Sequence, residues 1–167
     1  NVLNALAVIA IADELEIPLD VIKEALANFS GVARRFTIVG QPKGVTLVDD
    51  YGHHPAEIMA TLAAARGAYQ KRVIVAFQPH RFSRTQLLFD EFTRAFNDAD
   101  RVFLTDIYPA GESPIEGIDS EHLAQAMREH GQRSTSYVAD RETLVAEIAS
   151  IVRPGDVVIS LGAGDIN

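Results

Sequence analysis

The chain has 167 residues, of which 47% are hydrophobic and 23% charged, as expected for a globular domain with a full core. Its formal net charge of -8 argues against a nucleic-acid-binding surface, and the absence of cysteine excludes disulfides and thiolate metal sites. The cysteine-free sequence is compatible with a reducing compartment, so the expected location is the cytoplasm. The most apolar window, residues 5–12, is far shorter than the roughly 20 residues of a membrane-spanning helix.

The amino-terminal part of the sequence predicts a helical hairpin. Apolar residues recur at helical spacing from Asn1 to Leu15. Pro18 and Asp20 favour the amino end of a second helix that reaches Phe29. Because the helical pattern starts at the first residue without an initiator methionine, we expect the chain to be a piece of a longer protein.

A regular alternation of strands and helices follows the hairpin. Short β-type runs at 36–39 and 45–48 lie so close together that they must pair antiparallel. Helices are then predicted at 56–69, 85–96, 120–130 and 141–151, and strands at 72–77, 101–105, 136–138 and 156–161. Several of these strands are apolar on both faces, which is typical of a parallel sheet covered by helices on both sides. The sequence therefore predicts a Rossmann-like, doubly wound α/β fold with an antiparallel first strand.

Polar or glycine-rich segments follow four of the predicted strands, at 49–55, 78–84, 106–108 and 162–165. In an open α/β sheet, the carboxyl ends of the strands face one crevice, and ligands bind there. We therefore expect a single polar pocket at this edge. The long loop at 108–119 is the candidate for a mobile segment beside it.

The side chains in these segments suit a nucleotide and a small zwitterion. Asp50 can accept two hydroxyl hydrogen bonds from a ribose, and Arg81 and Arg84 can bind a carboxylate or phosphate in bidentate fashion. Three histidines can donate hydrogen bonds or titrate near neutral pH. They are His53, His54 and His80.

Structural interpretations compete with these roles. Asp49 or His53 can cap the helix that begins at Pro55, and for each residue alone this is as plausible as a functional role. The two arginines precede the helix predicted from residue 85, where cations oppose the helix dipole, so a purely structural role is disfavoured. The glycines at 162–164 form only a weak phosphate-binding signature, or allow close approach of the backbone to a ligand.

Several catalytic signatures are absent from the sequence. It contains no P-loop, no G-x-G-x-x-G after the first strand, no H-E-x-x-H and no serine nucleophile elbow. The side chains of His53 and His54 diverge in an extended segment, so we expect no metal site built from both.

Five ordered motifs resemble the ATP-dependent Mur ligases of bacterial peptidoglycan synthesis. They are NVLNALA at 1–7, GVARRF at 31–36, DDYGHHP at 49–55, FQPHRFSR at 77–84 and GAGDI at 162–166. The resemblance covers the whole chain. It implies that residues 1–30 are the last helices of the family's central ATPase domain, and that residues 31–167 are most of its carboxyl-terminal Rossmann-like domain, without the last helix. The P-loop and the Mg²⁺ ligands would lie upstream.

The resemblance also implies a reaction and residue roles. Tyr51 and Gly52 are similar to the branch of the family that joins L-alanine to UDP-N-acetylmuramate, with ATP activating the muramoyl carboxylate as an acyl phosphate. By resemblance, Asn4 contacts adenine, Arg35 the phosphates and Asp50 the ribose. The residues implied around L-alanine and the reacting centre are Tyr51, His53, His54, His80, Arg81 and Arg84.

Three alternatives stay open. The chain can belong to the branch that recycles the murein tripeptide, which usually has Phe-Ala in place of Tyr51-Gly52. It can be a nucleotide-binding module without catalysis, or an interaction domain that docks through residues 108–119. In the ligase interpretation, we expect no ligation by this chain alone, since the remaining domains of the parent complete the site.

Overall fold

The computed structural model describes residues 2–29 and 31–166. Asn1, Ser30 and Asn167, which the predicted domain ranges include, lie outside the described residues. The chain divides into two compact units, residues 1–33 and residues 34–167. No helix in the described part of the chain is long and apolar enough to cross a membrane.

The first unit is the predicted helical hairpin. Helix α1 spans Val2–Glu14 and helix α2 spans Leu19–Asn28, and the two contact each other. Pro18 precedes α2, where its fixed φ and missing N–H cost nothing.

The second unit contains a six-stranded sheet. Its strands are β1 Thr37–Gly40, β2 Thr46–Asp50, β3 Val73–Phe77, β4 Arg101–Leu104, β5 Thr135–Tyr137 and β6 Val157–Leu161. Their spatial order is β1-β2-β6-β3-β4-β5. Strand β1 pairs antiparallel with β2, and the other pairs are parallel, which confirms the predicted fold.

Helices cover both faces of this sheet. They are α3 Pro55–Tyr69, α4 Phe82–Leu87, α5 Phe89–Phe92, α6 Ser120–Glu129 and α7 Arg141–Ile151, and a 3₁₀ turn spans Pro42–Gly44. Val73, Val75 and Phe77 of β3 join the core beneath α3, α5 and α6, whereas Ile74 and Ala76 join the core beneath α7. Because β3 is buried on both faces, its sequence shows no polar alternation.

One predicted helix is wrong in its bounds and continuity. The segment predicted as a helix at 85–96 forms α4 and α5, separated at Leu88 with φ -113° and ψ 25°. This break accompanies the packing of Phe92 and Phe96 on Phe77, whose ring centres lie 5.7 and 5.1 Å from theirs. Because α4 begins at Phe82, Arg81 precedes the helix as predicted, whereas Arg84 lies within it.

Candidate functional site

The carboxyl ends of four parallel strands bring the predicted polar segments to one edge of the sheet. The Gln78 amide donates to Leu161 O at 3.0 Å, and the Gly162 amide donates to Asp50 O at 3.2 Å. A parallel bridge joins His80 to Tyr108. Segments distant in the sequence therefore form one continuous edge, as the strand order requires.

Four rings lie in a row along this edge. Tyr51 stands edge-on to His53 with ring centres 5.1 Å apart, and His53 lies 5.9 Å from His80. His80 stacks on Tyr108 at 5.5 Å with an angle of 10° between the planes. We call Tyr51, His53, His80 and Tyr108 the aromatic row. It crosses from the end of β2 to the end of β4.

Hydrogen bonds set the proton positions of the two histidines in this row. Nδ1 of His53 lies 3.0 Å from the carbonyl oxygen of Tyr51, which only accepts, so Nδ1 carries a proton, and in the neutral ring Nε2 presents a lone pair. Nδ1 of His80 lies 3.1 Å from Nη1 of Arg84, which only donates, so His80 carries its proton on Nε2. Burial, followed by the charge of Arg84, lowers the pKa of His80 and favours this neutral form.

The cap of α3 is His54, so the alternative interpretation of Asp49 or His53 as its cap is wrong. Nδ1 of His54 accepts from the Ala56 amide at 3.3 Å, and the Glu57 carboxylate accepts from the His54 amide at 3.2 Å. Burial raises the pKa of Glu57, but hydrogen bonds from the His53 and His54 amides, together with the charge of Arg35, outweigh it, so the pKa lies below its usual value. Asp49 is a strand residue, too far back to reach the first turn. The helix start therefore gives His54 a structural role, and its implied catalytic role stays a prediction.

Asp50 is buried beneath the row and organises its backbone. Its side chain is 3% exposed, and its two oxygens accept from the amides of Phe36 and Gly52, each at 2.7 Å. These bonds fix residues 34–36 and the turn after β2 against each other. The ribose contact implied by the family resemblance stays a prediction.

Arg81 and Arg84 lie at the same edge as Asp50, as the argument from the strand ends required. Nη1 of Arg84 donates to the carbonyl oxygen of His80 at 3.1 Å in addition to its ring. The half-exposed Arg81 lies 3.7 Å from Glu112, whose carboxylate also accepts from Ser83 at 2.6 Å. The loop predicted to be mobile is thus tied to the end of β3 at its first residues.

The sequence did not identify Arg34 as part of the site. Arg34 donates to Gly162 O at 2.6 Å, and its guanidinium lies 5.1 Å from the ring centre of Tyr51. The predicted phosphate ligand Arg35 is 52% exposed and lies 3.6 Å from Glu57. Two adjacent arginines give no sequence signal for which one turns inward. Asn4, the predicted adenine contact, is exposed on α1 in the first unit.

The glycines after β6 have a packing reason that needs no ligand. Gln78 donates to the Asp165 carboxylate at 2.9 Å and accepts from the Asp165 amide at 3.0 Å. A Cβ on Gly164 would lie 2.3 Å from Oε1 of Gln78 and 2.8 Å from Cγ of Tyr108. Only glycine therefore fits between these two side chains.

The model of the Mur ligase glutamate ligase domain matches residues 34–164. This chain belongs to the Mur ligase family. A relative from Sorangium cellulosum named UDP-N-acetylmuramate--L-alanine ligase is 63% identical over 100% of this chain and 36% of its own length. The protein of the same name from Geobacter sulfurreducens is 60% identical over 99% of this chain and 36% of its length. The chain therefore spans about a third of the length of these Mur ligases.

Solved structures of Mur ligases agree with the fold. UDP-N-acetylmuramate-alanine ligase MurC from Thermotoga maritima is 33% identical with a TM-score of 0.75, over 99% of this chain and 35% of that one. A murein peptide ligase from Psychrobacter arcticus is 22% identical with a TM-score of 0.69, over 96% of this chain and 33% of that one. At that identity, the second likeness supports the fold alone.

One cavity of this Mur ligase chain lies away from the aromatic row. It measures about 520 Å³ and lies at the amino ends of the strands, beside Arg72, Arg101 and Arg153. Arg72 is already engaged there, since it pairs with Asp156 at 2.6 Å and donates to Ile151 O at 2.6 Å. Helix α7 ends at this cavity, where cations are favoured for structural reasons. The arginines beside this cavity therefore have a structural explanation.

A metal centre is not apparent in this part of the Mur ligase. Within residues 2–29 and 31–166, no group of three histidine, aspartate or glutamate side chains is arranged to hold an ion. The described carboxylates near the row are instead engaged with amides and arginines, as for Asp50 and Glu112.

Proposed function

We propose that this chain supplies the carboxyl-terminal part of an ATP-dependent ligase that joins L-alanine to UDP-N-acetylmuramate in peptidoglycan synthesis. The names of relatives that are 53–63% identical support this assignment. The observation that carries it is the aromatic row with two arginines beside it at the carboxyl edge of the sheet. The reaction would take place in the cytoplasm, where its nucleotide substrates are.

Arg84 is the proposed anchor for the carboxylate of L-alanine. Its Nη1 is engaged with His80, and no hydrogen bond from Nη2 or Nε is found within the described chain. A planar guanidinium suits a carboxylate because two donors can bind two oxygens. Arg81 adds positive charge beside it, partly offset by Glu112 at 3.7 Å. Tyr51 would form the wall on the far side of the amine.

His53 is the proposed acceptor for the proton that the amine loses. Its Nδ1 is held by the Tyr51 carbonyl, which leaves the lone pair on Nε2. His80 and His54 both use Nδ1 as an acceptor, so each presents an N–H at Nε2 and would donate to the reacting groups. A base must present a lone pair to the proton it removes, and this favours His53 among the three.

ATP is the proposed phosphate donor. The family resemblance assigns adenine to Asn4, phosphate to Arg35 and ribose to Asp50. Mg²⁺ would neutralise phosphate charge, and its ligands are proposed to lie outside this chain. The activated acyl phosphate would then meet an amine fixed at the row, and catalysis would come from positioning and charge stabilisation.

The test is phosphate release by the complete protein that contains this sequence. We expect release that requires ATP, UDP-N-acetylmuramate and L-alanine together. Replacing L-alanine with the murein tripeptide should abolish it, whereas activity only with the tripeptide would assign the recycling reaction instead. ATP binding without any amine-dependent release would favour a non-catalytic nucleotide module.

The proton acceptor is tested in the same assay by His53→Asn. We expect kcat to fall by about 100-fold, within the range that a general base contributes. His130→Asn is the matched control, since His130 is an exposed residue bonded to Ala126 O at the end of α6. Equal kcat values for the two variants would contradict the role of His53.

A further inference from the structure

Arg34 lies at this edge of the sheet, but the proposed function assigns it no contact with a substrate or nucleotide. We infer that Arg34 is a positioning residue, which fixes the ring of Tyr51 and the turn after β6 and thereby sets the size of amine that the site accepts. The inference depends on the proposed function, because it concerns the specificity of the same amine site.

The guanidinium of Arg34 connects three segments of the edge. Nη2 donates to Gly162 O at 2.6 Å, and Nε lies 3.4 Å from the Asp49 carboxylate. Cζ lies 5.1 Å from the ring centre of Tyr51, within the range of a cation-π contact. One rigid planar group therefore holds the end of β2, the residue after it and the turn after β6.

The main chain of Arg34 is fixed as closely as its side chain. Its carbonyl oxygen accepts from the Tyr51 amide at 2.7 Å, and its φ is 59°, in the left-handed region that residues with side chains disfavour. Such a conformation persists where the surrounding contacts impose it. The side chain is only 28% exposed, so this arrangement is built into the edge and is not a surface accident.

Arg34 would affect the specificity for the amine by holding the ring of Tyr51. Its ring stands edge-on to His53 with an interplanar angle of 84°, and His53 is followed by His80 and then Arg84. A ring held in one orientation keeps a constant distance to the proposed carboxylate anchor. If the ring can rotate, the site gains room for amino acids whose side chains are larger than the methyl group of alanine.

The test is Arg34→Lys in the complete ligase. Lysine keeps the charge but lacks the planar fork that serves Gly162, Asp49 and the ring together. We expect KM for L-alanine to rise about three- to tenfold and KM for ATP to stay within about twofold. The kcat/KM of L-serine and L-valine relative to L-alanine should rise.

Arg101→Lys is the matched control. Arg101 also forms a cation-π contact, 4.6 Å from the ring centre of Phe103, and donates to Ser136 at 2.7 Å. It begins β4, at the opposite ends of the strands from the aromatic row. We expect Arg101→Lys to change thermal stability without changing KM or the order of amine preference.

A double-mutant cycle separates positioning from general destabilisation. If Arg34 acts through Tyr51, then Tyr51→Leu and Arg34→Lys should not have additive effects on amine selectivity. Should Arg34→Lys fail to fold, the ring-current shift of the Arg34 side-chain protons in the wild-type chain, and its loss in Tyr51→Leu, still tests the contact.

The outcomes keep the two hypotheses apart. A wild-type ligase without amine-dependent phosphate release refutes the proposed function, and an unshifted Arg34 signal then refutes the positioning as well. An active wild type with unchanged selectivity in Arg34→Lys, or additive effects in the cycle, overturns the role of Arg34 and leaves the proposed function standing.

Discussion

Gly164→Ala should destabilise the protein because its added methyl group has no space. The new Cβ would lie 2.3 Å from Oε1 of Gln78 and 2.8 Å from Tyr108, whereas ordinary contacts begin at 3.4 Å. Gly164 does not have a positive φ, so the cost is one of packing and not of backbone conformation.

The loss of unfolding free energy depends on which neighbouring side chain, Gln78 or Tyr108, is displaced. If Gln78 shifts away, its two hydrogen bonds with Asp165 at 2.9 and 3.0 Å are lost. Each is worth about 1 kcal/mol, and overpacking adds about 1–3 kcal/mol. The free energy of unfolding should therefore fall by about 3–5 kcal/mol. If Tyr108 moves instead, its stacking on His80 is disturbed, and the complete ligase should also lose activity.

Urea unfolding of the chain, followed by circular dichroism, measures this loss. The matched control is Gly67→Ala in α3, where an added Cβ meets no atom within 4 Å. That change should raise the free energy of unfolding by about 0.5–1 kcal/mol, because alanine favours the helix. A Gly164→Ala protein as stable as the wild type would refute the packing argument for this turn.

Two further predictions concern pH and charge. Asp156→Asn should cost about 2–3 kcal/mol in urea unfolding at pH 7, because the carboxylate binds Arg72 at 2.6 Å. Burial raises the pKa of Asp156, but the bonds to Arg72 and Arg153 outweigh it and lower the pKa, so stability is lost as the pH falls through and below the usual value. In Asp156→Asn this loss of stability at low pH should be smaller. An equal loss in both proteins would show that Asp156 is not the group responsible. Burial and Arg84 lower the pKa of His80, so the unfolded state binds more protons and stability should decrease below about pH 6.5. His80→Asn should flatten that decrease, whereas the same slope in both proteins would show that another group is responsible.

The strands and their common edge could be predicted because local patterns decide them. The run Val73–Phe77 has no polar residue, and the structure buries it on both faces. The polar segments at 49–55 and 78–84 follow directly from strand ends, so a parallel sheet must place them together. The hairpin of β1 and β2 was equally local, since a short connection permits only antiparallel pairing.

The contacts that refine the site were not readable in the sequence because they join distant residues. Arg34 turns inward through a left-handed backbone and a bond to Gly162, and no local pattern distinguishes it from Arg35. The cap at His54 depends on the geometry of the imidazole relative to the first turn of α3, where aspartate or serine is the usual expectation. The break between α4 and α5 accompanies aromatic packing against the sheet, which overrides the helical period.

The central claim is that the carboxyl edge of the sheet binds the amine substrate, and Arg84→Lys in the complete ligase tests it most directly. Arg94→Lys, an exposed position beyond α5, is the control. Loss of the planar pair of donors should lower kcat/KM for L-alanine by about 10- to 100-fold while KM for ATP stays nearly constant. Equal kcat/KM for L-alanine in the two variants would contradict the account.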